Sequence, residues 1–498
     1  MADLFSHPSE GVECAFDQSG WLGEGKGERG IRIKALRAQT PGVYRVYVDI
    51  QGSGALFGQR RNLISPSISG KTSFLSCLTE YIPSMDNQAR PGDTLYASVS
   101  GGEITAMRAE PAQARRVFIA GDSTVADQFC SAEYYPMDSY CGWGQMLAAF
   151  LREDAVCNMA HSGLTGRCFI EDGHFDIVKR YMQPGDLCLI QFGHNDQKRR
   201  YLQADQQYPM YLERICREVM SKGGQPVLIS PVSRVPGRDA AGVFDLLEAH
   251  AQAVRKLSDR LQAPFIDLHS TSFRLFCEMG DACRGLFMDM THANDPGAFR
   301  LAGLIAGELE RLGLARSTCP EPGYLQTDCV RAPGKSQAAP VLPMPYVDID
   351  GVPDREILHR ALQKGLLDPC VLHLHPFEPM SRAGFIQMLF RAAHLPTCAT
   401  DGEKPYADVD AREFDASYAA ACKKQGLVKG DYYRPDDMIT ADEVNELCER
   451  LGFSVRLKEE GLPTKYQLIC LLVEIAEGYE TCQDRSANTN GGHEAEGK

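Results

Sequence analysis

Long apolar runs are missing from this sequence of 498 residues. No stretch approaches the roughly 18 apolar residues that a membrane-spanning helix needs, so no membrane partner is expected. Basic residues are also in the minority, because 52 Lys and Arg stand against 66 Asp and Glu, for a formal charge of −14. Since binding to nucleic-acid phosphates needs clustered Lys and Arg, a nucleic-acid partner is not expected either.

Paired cysteine motifs are also missing. The 18 cysteines stand singly, with no C-x-x-C pair and no paired histidine cluster. This spacing argues against a zinc site and against a small disulfide scaffold, and predicts reduced thiols that pack as small apolar residues. The first residues, MADLFSHPSEGVECAFDQSG, have no basic start followed by an apolar core. We therefore expect a cytoplasmic protein, with secretion or cell-surface display as the alternative if a signal segment has been removed.

Residues 1–113 are predicted to form an antiparallel β-sandwich. Apolar and polar residues alternate in GIRIKALRA (30–38), VYRVYVDI (43–50) and TLYASVSGG (94–102), and Gly, Pro and Asn cluster between these runs. A period of two is typical of half-buried strands. No helical pattern is evident before residue 110, so the segment reads as all-β.

Residues 114–316 are predicted to form an α/β/α domain. Helical stretches alternate with short apolar runs, as expected of strands buried on both faces. The runs are VFIA (117–120), LCLIQF (187–192), PVLIS (226–230) and PFIDL (264–268). This alternation predicts a parallel sheet flanked by helices. In such sheets functional groups collect in the loops at the carboxyl ends of the strands.

The remaining sequence is predicted to contain a linker (317–344), small α-helical repeats (345–480) and a disordered tail (481–498). PYVDID (345–350) recurs as PYADVD (405–410), an offset of about 60 residues. In the same way LHPFEPMSRAGF (374–385) recurs as YRPDDMITADEV (433–444).

A serine stands just after the first apolar run of the central domain, in RVFIAGDSTVADQ (116–128). A serine hydroxyl is a poor nucleophile until a base removes its proton, and the base works best when a carboxylate orients it. Asp289 and His292 are three residues apart, a spacing that allows the carboxylate to lie behind the imidazole. The alternative is that Ser123 only belongs to a turn between two elements.

Acyl transfer also needs hydrogen-bond donors for the oxyanion that develops in the transition state. Gly163 and Asn195 lie in two further loops that follow predicted strands. The first offers a backbone N–H and the second a side-chain N–H₂. The alternatives are a tight turn at Gly163 and a helix cap at Asn195.

Together these residues resemble the SGNH, or GDSL-type, hydrolases. Four sequence blocks occur in the order found in that family: Gly121-Asp122-Ser123, Gly163, Gly193-His194-Asn195-Asp196 and Asp289-x-x-His292. The motifs GDSTVADQ, WGQML, FGHNDQK and DMTH are most similar to those of the rhamnogalacturonan acetylesterase branch. The resemblance covers about residues 116–315 and implies a flavodoxin-like sheet, no metal and no organic cofactor. It implies that Ser123 is the nucleophile, His292 the base and Asp289 its orienting carboxylate. The oxyanion hole would consist of Ser123, Gly163 and Asn195.

Five further residues are secondary candidates for substrate contact: Asp122, Trp143, His194, Ser233 and Arg234. For Asp122 a turn-stabilising acceptor is the favoured interpretation, and for Trp143 it is core packing rather than a sugar-stacking surface. His194 is expected at the rim or in the packing. Ser233 and Arg234 follow the apolar run PVLIS (226–230).

The C-terminal repeats resemble S-layer homology motifs, which implies weak binding of an anionic cell-wall polysaccharide. The motif's arginine is present at Arg382 but is replaced by Ala441 in the second copy, and its glutamate is replaced by Gly384 in the first.

The function predicted from these resemblances is removal of acetyl groups from plant cell-wall polysaccharide or oligosaccharide, with rhamnogalacturonan or xylan as the acetylated carbohydrate. One alternative is a lipase- or thioesterase-like relative that cleaves longer acyl groups. The other is a glycan- or cell-wall-binding protein with an inactive hydrolase domain. The oligomeric state stays open.

Overall fold

The computed structural model describes residues 31–38, 40–80, 82, 94–128, 134–239, 242–323, 325, 344–368, 372–458 and 460–490. The chain divides into two compact units. The first comprises Met1–Gln197, Leu202–Gly237 and Leu247–Pro340, and the second comprises Lys198–Tyr201, Arg238–Leu246 and Val341–Lys498. Most of the predicted linker lies outside the described residues. Over those described residues, no helix has both the length and the apolar character needed to cross a membrane.

Within residues 31–111, as far as the structure describes them, five antiparallel strands form the N-terminal part of the first unit. They are β1 (Ile31–Arg37), β2 (Gly42–Phe57), β3 (Leu63–Leu78), β4 (Thr94–Ser100) and β5 (Gly102–Pro111). Strand β2 pairs with β3 and β5 along its two edges, and its last residues pair with β4, which pairs in turn with β1. Alternate residues of β2, such as Val46, Val48 and Ile50, are buried in the core of this part.

The prediction of a β-sandwich is corrected in one respect. All five strands belong to one hydrogen-bonded sheet, whereas a sandwich has two. The reason is the length of β2, which runs for 16 residues with register shifts after Ile50 and so reaches β4 as well as β3 and β5. The alternation of apolar and polar residues predicts which side chains are buried, but it does not predict which strands pair with each other.

The central part of the first unit is built on a parallel sheet. Its strands are β6 (Arg116–Gly121), β7 (Ala155–Asn158), β8 (Leu187–Gln191), β9 (Gln225–Ile229) and β12 (Phe265–Ile266). The strands β10 (Gly237–Asp239) and β11 (Gly242–Phe244) form a separate hairpin, and all of its residues except Gly237 belong to the second unit. The order across the parallel sheet is β7-β6-β8-β9-β12. The first strand in sequence therefore lies between the second and the third, which is the flavodoxin-like order.

Helices cover both faces of this sheet, as predicted. They are α1 (Trp143–Met146), α2 (Gly166–Glu171), α3 (His174–Tyr181), α4 (Gln207–Ser221), α5 (Glu248–Leu261), α6 (Leu268–Met279) and α7 (Asp295–Arg311). Val117 and Ile119 of β6 share an apolar core with residues of α1, α6 and α7. Phe118 and Ala120 share the other core with residues of α2 to α5. Successive residues of one strand thus supply both layers.

The predicted boundary between residues 113 and 114 falls inside one compact unit. Phe57 and Leu63 of the antiparallel sheet are buried in the same apolar core as Val117 and Ile119. Val43 of β2 and Leu75 and Cys77 of β3 join the second core. The two predicted domains therefore bury apolar surface against each other.

The second unit contains five helices within its described residues, α8 (Arg355–Gln363), α9 (Arg382–Ala392), α10 (Ala416–Lys424), α11 (Ala441–Arg450) and α12 (Lys465–Asn490). The two copies of the predicted repeat make the same hydrogen bonds. The Asp348 carboxylate accepts the backbone N–H groups of residues 374 and 375 at 2.8 and 2.7 Å. The Asp408 carboxylate accepts those of residues 433 and 434, also at 2.8 and 2.7 Å.

The predicted disordered tail is corrected over its first part. Helix α12 continues to Asn490, although residue 481 was the expected start of the tail. No proline interrupts this segment, and the next glycine pair is Gly491-Gly492. Because glycine just past the end is a common helix stop, the helix has no strong stop signal before that pair. Residues 491–498 lie outside the described residues.

We expect Asp408→Asn to destabilise the protein by about 1–2 kcal/mol, because an amide has one acceptor oxygen where the carboxylate has two. Asp348→Asn should have a similar effect, since the bonds are equivalent. Urea unfolding followed by circular dichroism measures both. The control is Asp350→Asn, whose side chain is 98% exposed in a surface ion pair with Arg355, so a change below about 0.5 kcal/mol is expected. Equal shifts for Asp408 and Asp350 would contradict the assignment.

Candidate active site

A tight turn follows β6 and presents Ser123 at the carboxyl edge of the parallel sheet. The Asp122 carboxylate accepts the backbone N–H of Thr124 at 3.0 Å and its hydroxyl at 2.7 Å. A side chain at Gly121 would place Cβ 2.9 Å from the carbonyl oxygen of Gln191. Glycine is therefore required where the strand leads into the turn.

Three side chains form a continuous line of hydrogen bonds from this turn. The hydroxyl oxygen of Ser123 lies 2.8 Å from Nε2 of His292. The other ring nitrogen of His292, Nδ1, lies 2.7 Å from Oδ2 of Asp289. The second oxygen of Asp289 accepts the backbone N–H groups of Thr291 and His292, both at 2.7 Å. The imidazole is thus oriented by a carboxylate that the backbone itself fixes.

The carboxylate of Asp289 is strongly acidic. Burial raises its pKa, but the hydrogen bond and charge of His292, together with two backbone N–H groups, outweigh that effect and lower the pKa to about 2. Asp289 is therefore ionised at neutral pH and acts only as an acceptor.

The residues around His292 fold back on themselves just before α7. The backbone N–H of Met288 donates to the carbonyl of His292 at 2.8 Å, and Phe287 pairs with Ala293 in an isolated bridge. Asn294 caps α7, since its side-chain oxygen accepts the backbone N–H of Gly297 at 3.1 Å. A helix start and a short hairpin therefore set the position of the imidazole.

The loops that hold Gly163 and Asn195 flank the turn after β6, because β7 and β8 are the two neighbours of β6 in the sheet. Gly163 has φ of +77°, in the left-handed region that favours glycine. The amide nitrogen of Asn195 donates to the carbonyl of Leu164 at 3.1 Å, and Asp196 accepts the backbone N–H of Gly166 at 3.0 Å. Burial raises the pKa of Asp196 to about 7. These bonds join the two loops; the oxyanion role of Gly163 and Asn195 stays a prediction.

Four of the secondary candidates, Asp122, Trp143, His194 and Ser233, are buried. This confirms the favoured interpretation of Asp122 as a turn-stabilising acceptor, of Trp143 as a core residue and of His194 as a packing residue, and it corrects the secondary prediction that the four contact substrate. His194 and Asp122 are 1% and 0% exposed, with Nδ1 of the first 3.3 Å from Oδ2 of the second. Trp143 is buried, and its indole N–H donates to Oε1 of Gln191 at 2.8 Å. Ser233 is also buried. At the rim of a parallel sheet, polar residues that stabilise the turns resemble substrate-binding residues in sequence.

Arg234 connects two of the loops. Its guanidinium donates to the hydroxyl of Thr291, next to His292, and to the carbonyl of His194 at 3.2 Å. The sequence placed Arg234 near the site but did not predict this connection.

Two features of the site are not predicted by the sequence. One is Tyr140, whose side chain is 39% exposed and whose ring centroid lies 5.7 Å from that of His292, edge to face. The other is a buried pair, Arg60 and Arg61, which forms ion pairs with Asp127 and Asp295. These partners are 67 and 234 residues away in sequence. The only sequence signal was two adjacent arginines at the edge of an apolar run.

Comparison with known proteins identifies the family of this chain. The model of the GDSL-like Lipase/Acylhydrolase family matches residues 119–298. The rhamnogalacturonan acetylesterase RhgT of Bacillus subtilis is 32% identical over 216 residues, which cover 40% of this chain and 91% of that protein. The uncharacterized esterase YxiM of the same organism is 30% identical over 226 residues, 44% of this chain, and the chain spans 58% of its length. The crystal structure of YxiM aligns over 59% of this chain and 88% of that one, at 23% identity and a TM-score of 0.39. The chain therefore belongs to the GDSL-like lipase/acylhydrolase family, whose members are carboxylic ester hydrolases.

Proposed function

We propose that this protein is a serine esterase that removes O-acetyl groups from plant cell-wall polysaccharide or oligosaccharide. The observation that carries the proposal is the line of hydrogen bonds from Ser123 through His292 to Asp289, at 2.8 and 2.7 Å. The name of RhgT, a rhamnogalacturonan acetylesterase, favours a pectin-type substrate, with acetylated xylan as the second choice.

The reaction divides into two acyl transfers. Oγ of Ser123 attacks the acetyl carbonyl carbon while Nε2 of His292 takes the hydroxyl proton, and the ionised Asp289 stabilises the imidazolium. The bond to the sugar oxygen then breaks, and His292 returns the proton to that oxygen, which leaves an acetyl group on Ser123. Water then attacks this ester while His292 takes its proton. The bond to Oγ of Ser123 breaks as His292 gives the proton to that oxygen, which releases acetic acid and restores the serine. Backbone N–H groups of Ser123 and Gly163 and the Asn195 amide would stabilise the oxyanion.

Tyr140 is the aromatic surface best placed for the leaving sugar. The sugar oxygen must come within hydrogen-bond reach of Nε2 of His292, so the sugar ring must lie beside the imidazole that Tyr140 contacts. The position of Tyr140 is fixed, because its carbonyl accepts Nη2 of Arg61 at 2.7 Å and its backbone forms a bridge with Asn294. Burial and the charge of Asp289 raise the pKa of Tyr140, so its hydroxyl stays a donor. An aromatic ring with a polar tip suits a sugar.

No observation favours the alternative of a glycan- or cell-wall-binding protein. In the second unit a cavity of about 330 Å³ includes Arg382, Arg434 and Glu443 in its lining. Arg382 is buried, and both arginines form ion pairs with Glu443. Arginines neutralised in this way do not favour an anionic polysaccharide. Binding by the repeats and the cytoplasmic location both stay predictions.

We expect Ser123→Ala to abolish hydrolysis of 4-nitrophenyl acetate while circular dichroism stays unchanged, because the variant has no nucleophile. The matched control is Ser221→Ala, since that hydroxyl only donates to the carbonyl of Glu218 on exposed surface. The wild-type protein should prefer acetyl over octanoyl esters. Turnover by Ser123→Ala would remove the proposed mechanism, and a preference for octanoyl would favour the lipase- or thioesterase-like alternative.

We expect Asp289→Asn to lower kcat at pH 7 by roughly 10³–10⁴-fold, because an amide in place of the carboxylate favours the wrong imidazole tautomer. The pKa of Asp289 is lowered to about 2, below the ordinary aspartate value near 4. The interaction of the ionised carboxylate with His292 is therefore fully present above about pH 4 and is lost only as the pH falls toward 2. Wild-type pH–rate profiles should therefore show no Asp289 titration above about pH 5. Asp281→Asn, at an exposed position, should keep kcat within about twofold. Comparable losses in the two variants would argue against the assigned role.

We expect Tyr140→Ala to lower kcat/KM by about tenfold for acetylated rhamnogalacturonan oligosaccharides, because about 1.4 kcal/mol of stacking is lost. With ethyl acetate, which has no sugar ring, the change should stay below about threefold. Tyr140→Phe, which keeps the ring, should retain most of the activity on the sugar ester. An equal loss on both esters would show that Tyr140 supports His292 rather than the sugar.

A further inference from the structure

We propose that the loop of residues 58–62, which connects β2 to β3 in the N-terminal sheet, positions the catalytic groups of the neighbouring parallel sheet. In this inference, which rests on the proposed esterase function, Arg61 and Arg60 are positioning residues. They hold the Ser123 turn and the His292 loop at the separation that the reaction needs.

The first contact is beneath the Ser123 turn. Nε of Arg60 donates to Oδ2 of Asp127 at 2.7 Å, and the Asn62 amide donates to Oδ1 of the same carboxylate at 2.6 Å. Nη2 of Arg60 also donates to the carbonyl of Asn158, the last residue of β7, at 2.7 Å. Asp127 follows Ser123 by four residues, so the loop fixes the segment that carries the hydroxyl.

The second contact is beside His292. Nη1 of Arg61 donates to Oδ2 of Asp295, the first residue of α7, at 2.5 Å. Nη2 of the same guanidinium donates to the carbonyl of Tyr140 at 2.7 Å. Asp295 follows His292 by three residues, and the Tyr140 ring contacts the imidazole. One guanidinium therefore binds the start of the helix that follows His292 and the residue whose ring contacts the imidazole.

Two glutamines extend the loop's contacts to the serine itself. The amide of Gln145 donates to the carbonyls of Arg60 and Gln128, both at 3.0 Å. The amide of Gln128 donates in turn to the carbonyl of Ser123 at 2.7 Å. An unbroken series of hydrogen bonds thus runs from the loop to the nucleophilic residue.

The backbone of the loop is itself unusual. Arg60 and Arg61 have φ of 49° and 60°, in the left-handed region that costs a non-glycine residue energy. Both side chains are buried. Burial also raises the pKa of Asp127 and of Asp295, although the arginines oppose this. Because the turn is strained and four charged groups are buried, it contributes little net stability to the packing of the two sheets. Backbone strain of this kind is concentrated at functional sites.

Another arginine of the first unit provides the comparison. Arg115 forms a bidentate pair with Asp154 at 2.8 Å for both bonds, and donates to the carbonyl of Leu314 at 2.6 Å. It lies before the first residue of β6, at the end of the strand away from Ser123. Arg115 therefore has a similar number of contacts without access to the reacting groups.

The test compares Arg61→Lys with Arg115→Lys in the full chain. For Arg61→Lys we expect kcat on 4-nitrophenyl acetate to fall by about 100-fold with KM changed less than about threefold, because a displacement near 1 Å is enough for such a loss. The rate of Ser123 labelling by a fluorophosphonate should fall in parallel. Arg115→Lys, at a side chain that is 33% exposed where that of Arg61 is 1% exposed, should lower the melting temperature by a smaller amount and leave kcat and the labelling rate unchanged. The double variant Arg61→Met with Asp295→Asn removes both charges, which avoids an unpaired buried carboxylate, and should show the same loss of kcat.

The inference is overturned if either Arg61 variant is folded and keeps kcat and labelling within about threefold of wild type. It is also overturned if both variants fail to fold where Arg115→Lys folds, since the loop would then be a folding determinant and not a positioning device. These outcomes differ from failure of the proposed function. In that case the wild-type protein itself would not hydrolyse acetyl esters, while labelling of Ser123 would still report the effect of Arg61.

Discussion

The hydrogen bond between Ser123 and His292 is the interaction on which the structure of the site depends. The bond is 2.8 Å long and joins residues that are 169 positions apart in sequence. Such a bond requires two loops to be held within a few tenths of an ångström. The parallel sheet provides the coarse alignment, because its strands end at a common edge. Fine alignment comes from buried polar groups behind the loops.

Those buried groups explain why so many polar side chains surround a small reaction site. Asp122 closes the serine turn and contacts His194. Arg234 connects the loop after β8 to the residue next to His292. The groups in each such contact are costly to desolvate, and removal of one partner leaves the other buried without its hydrogen bond, which destabilises the protein. The site therefore has few independent parts, and changes in one loop are expected to reach the others.

The sequence predicted the parallel sheet and its flanking helices because the apolar runs and helical periods are local signals. It also located Ser123, Asp289 and His292, since the blocks that contain them have a fixed wording and order. It did not predict that the N-terminal strands form a single sheet, because the alternation of apolar and polar residues does not indicate which strands pair with β2. Nor did it predict Arg60, Arg61 or Tyr140, whose importance arises from partners far away in the chain. For Trp143 the favoured interpretation, core packing, is confirmed, since the residue is fully buried.

The shared apolar cores and the two buried ion pairs have a consequence for how the chain is divided. A fragment that begins at residue 114 would keep residues 119–298, which match the family model, but Asp127 and Asp295 would lose their counter-charges. The apolar residues that pack with Phe57 and Leu63 would also be exposed to water. In functional terms, the smallest autonomous piece of this protein therefore begins upstream of the segment that sequence similarity identifies.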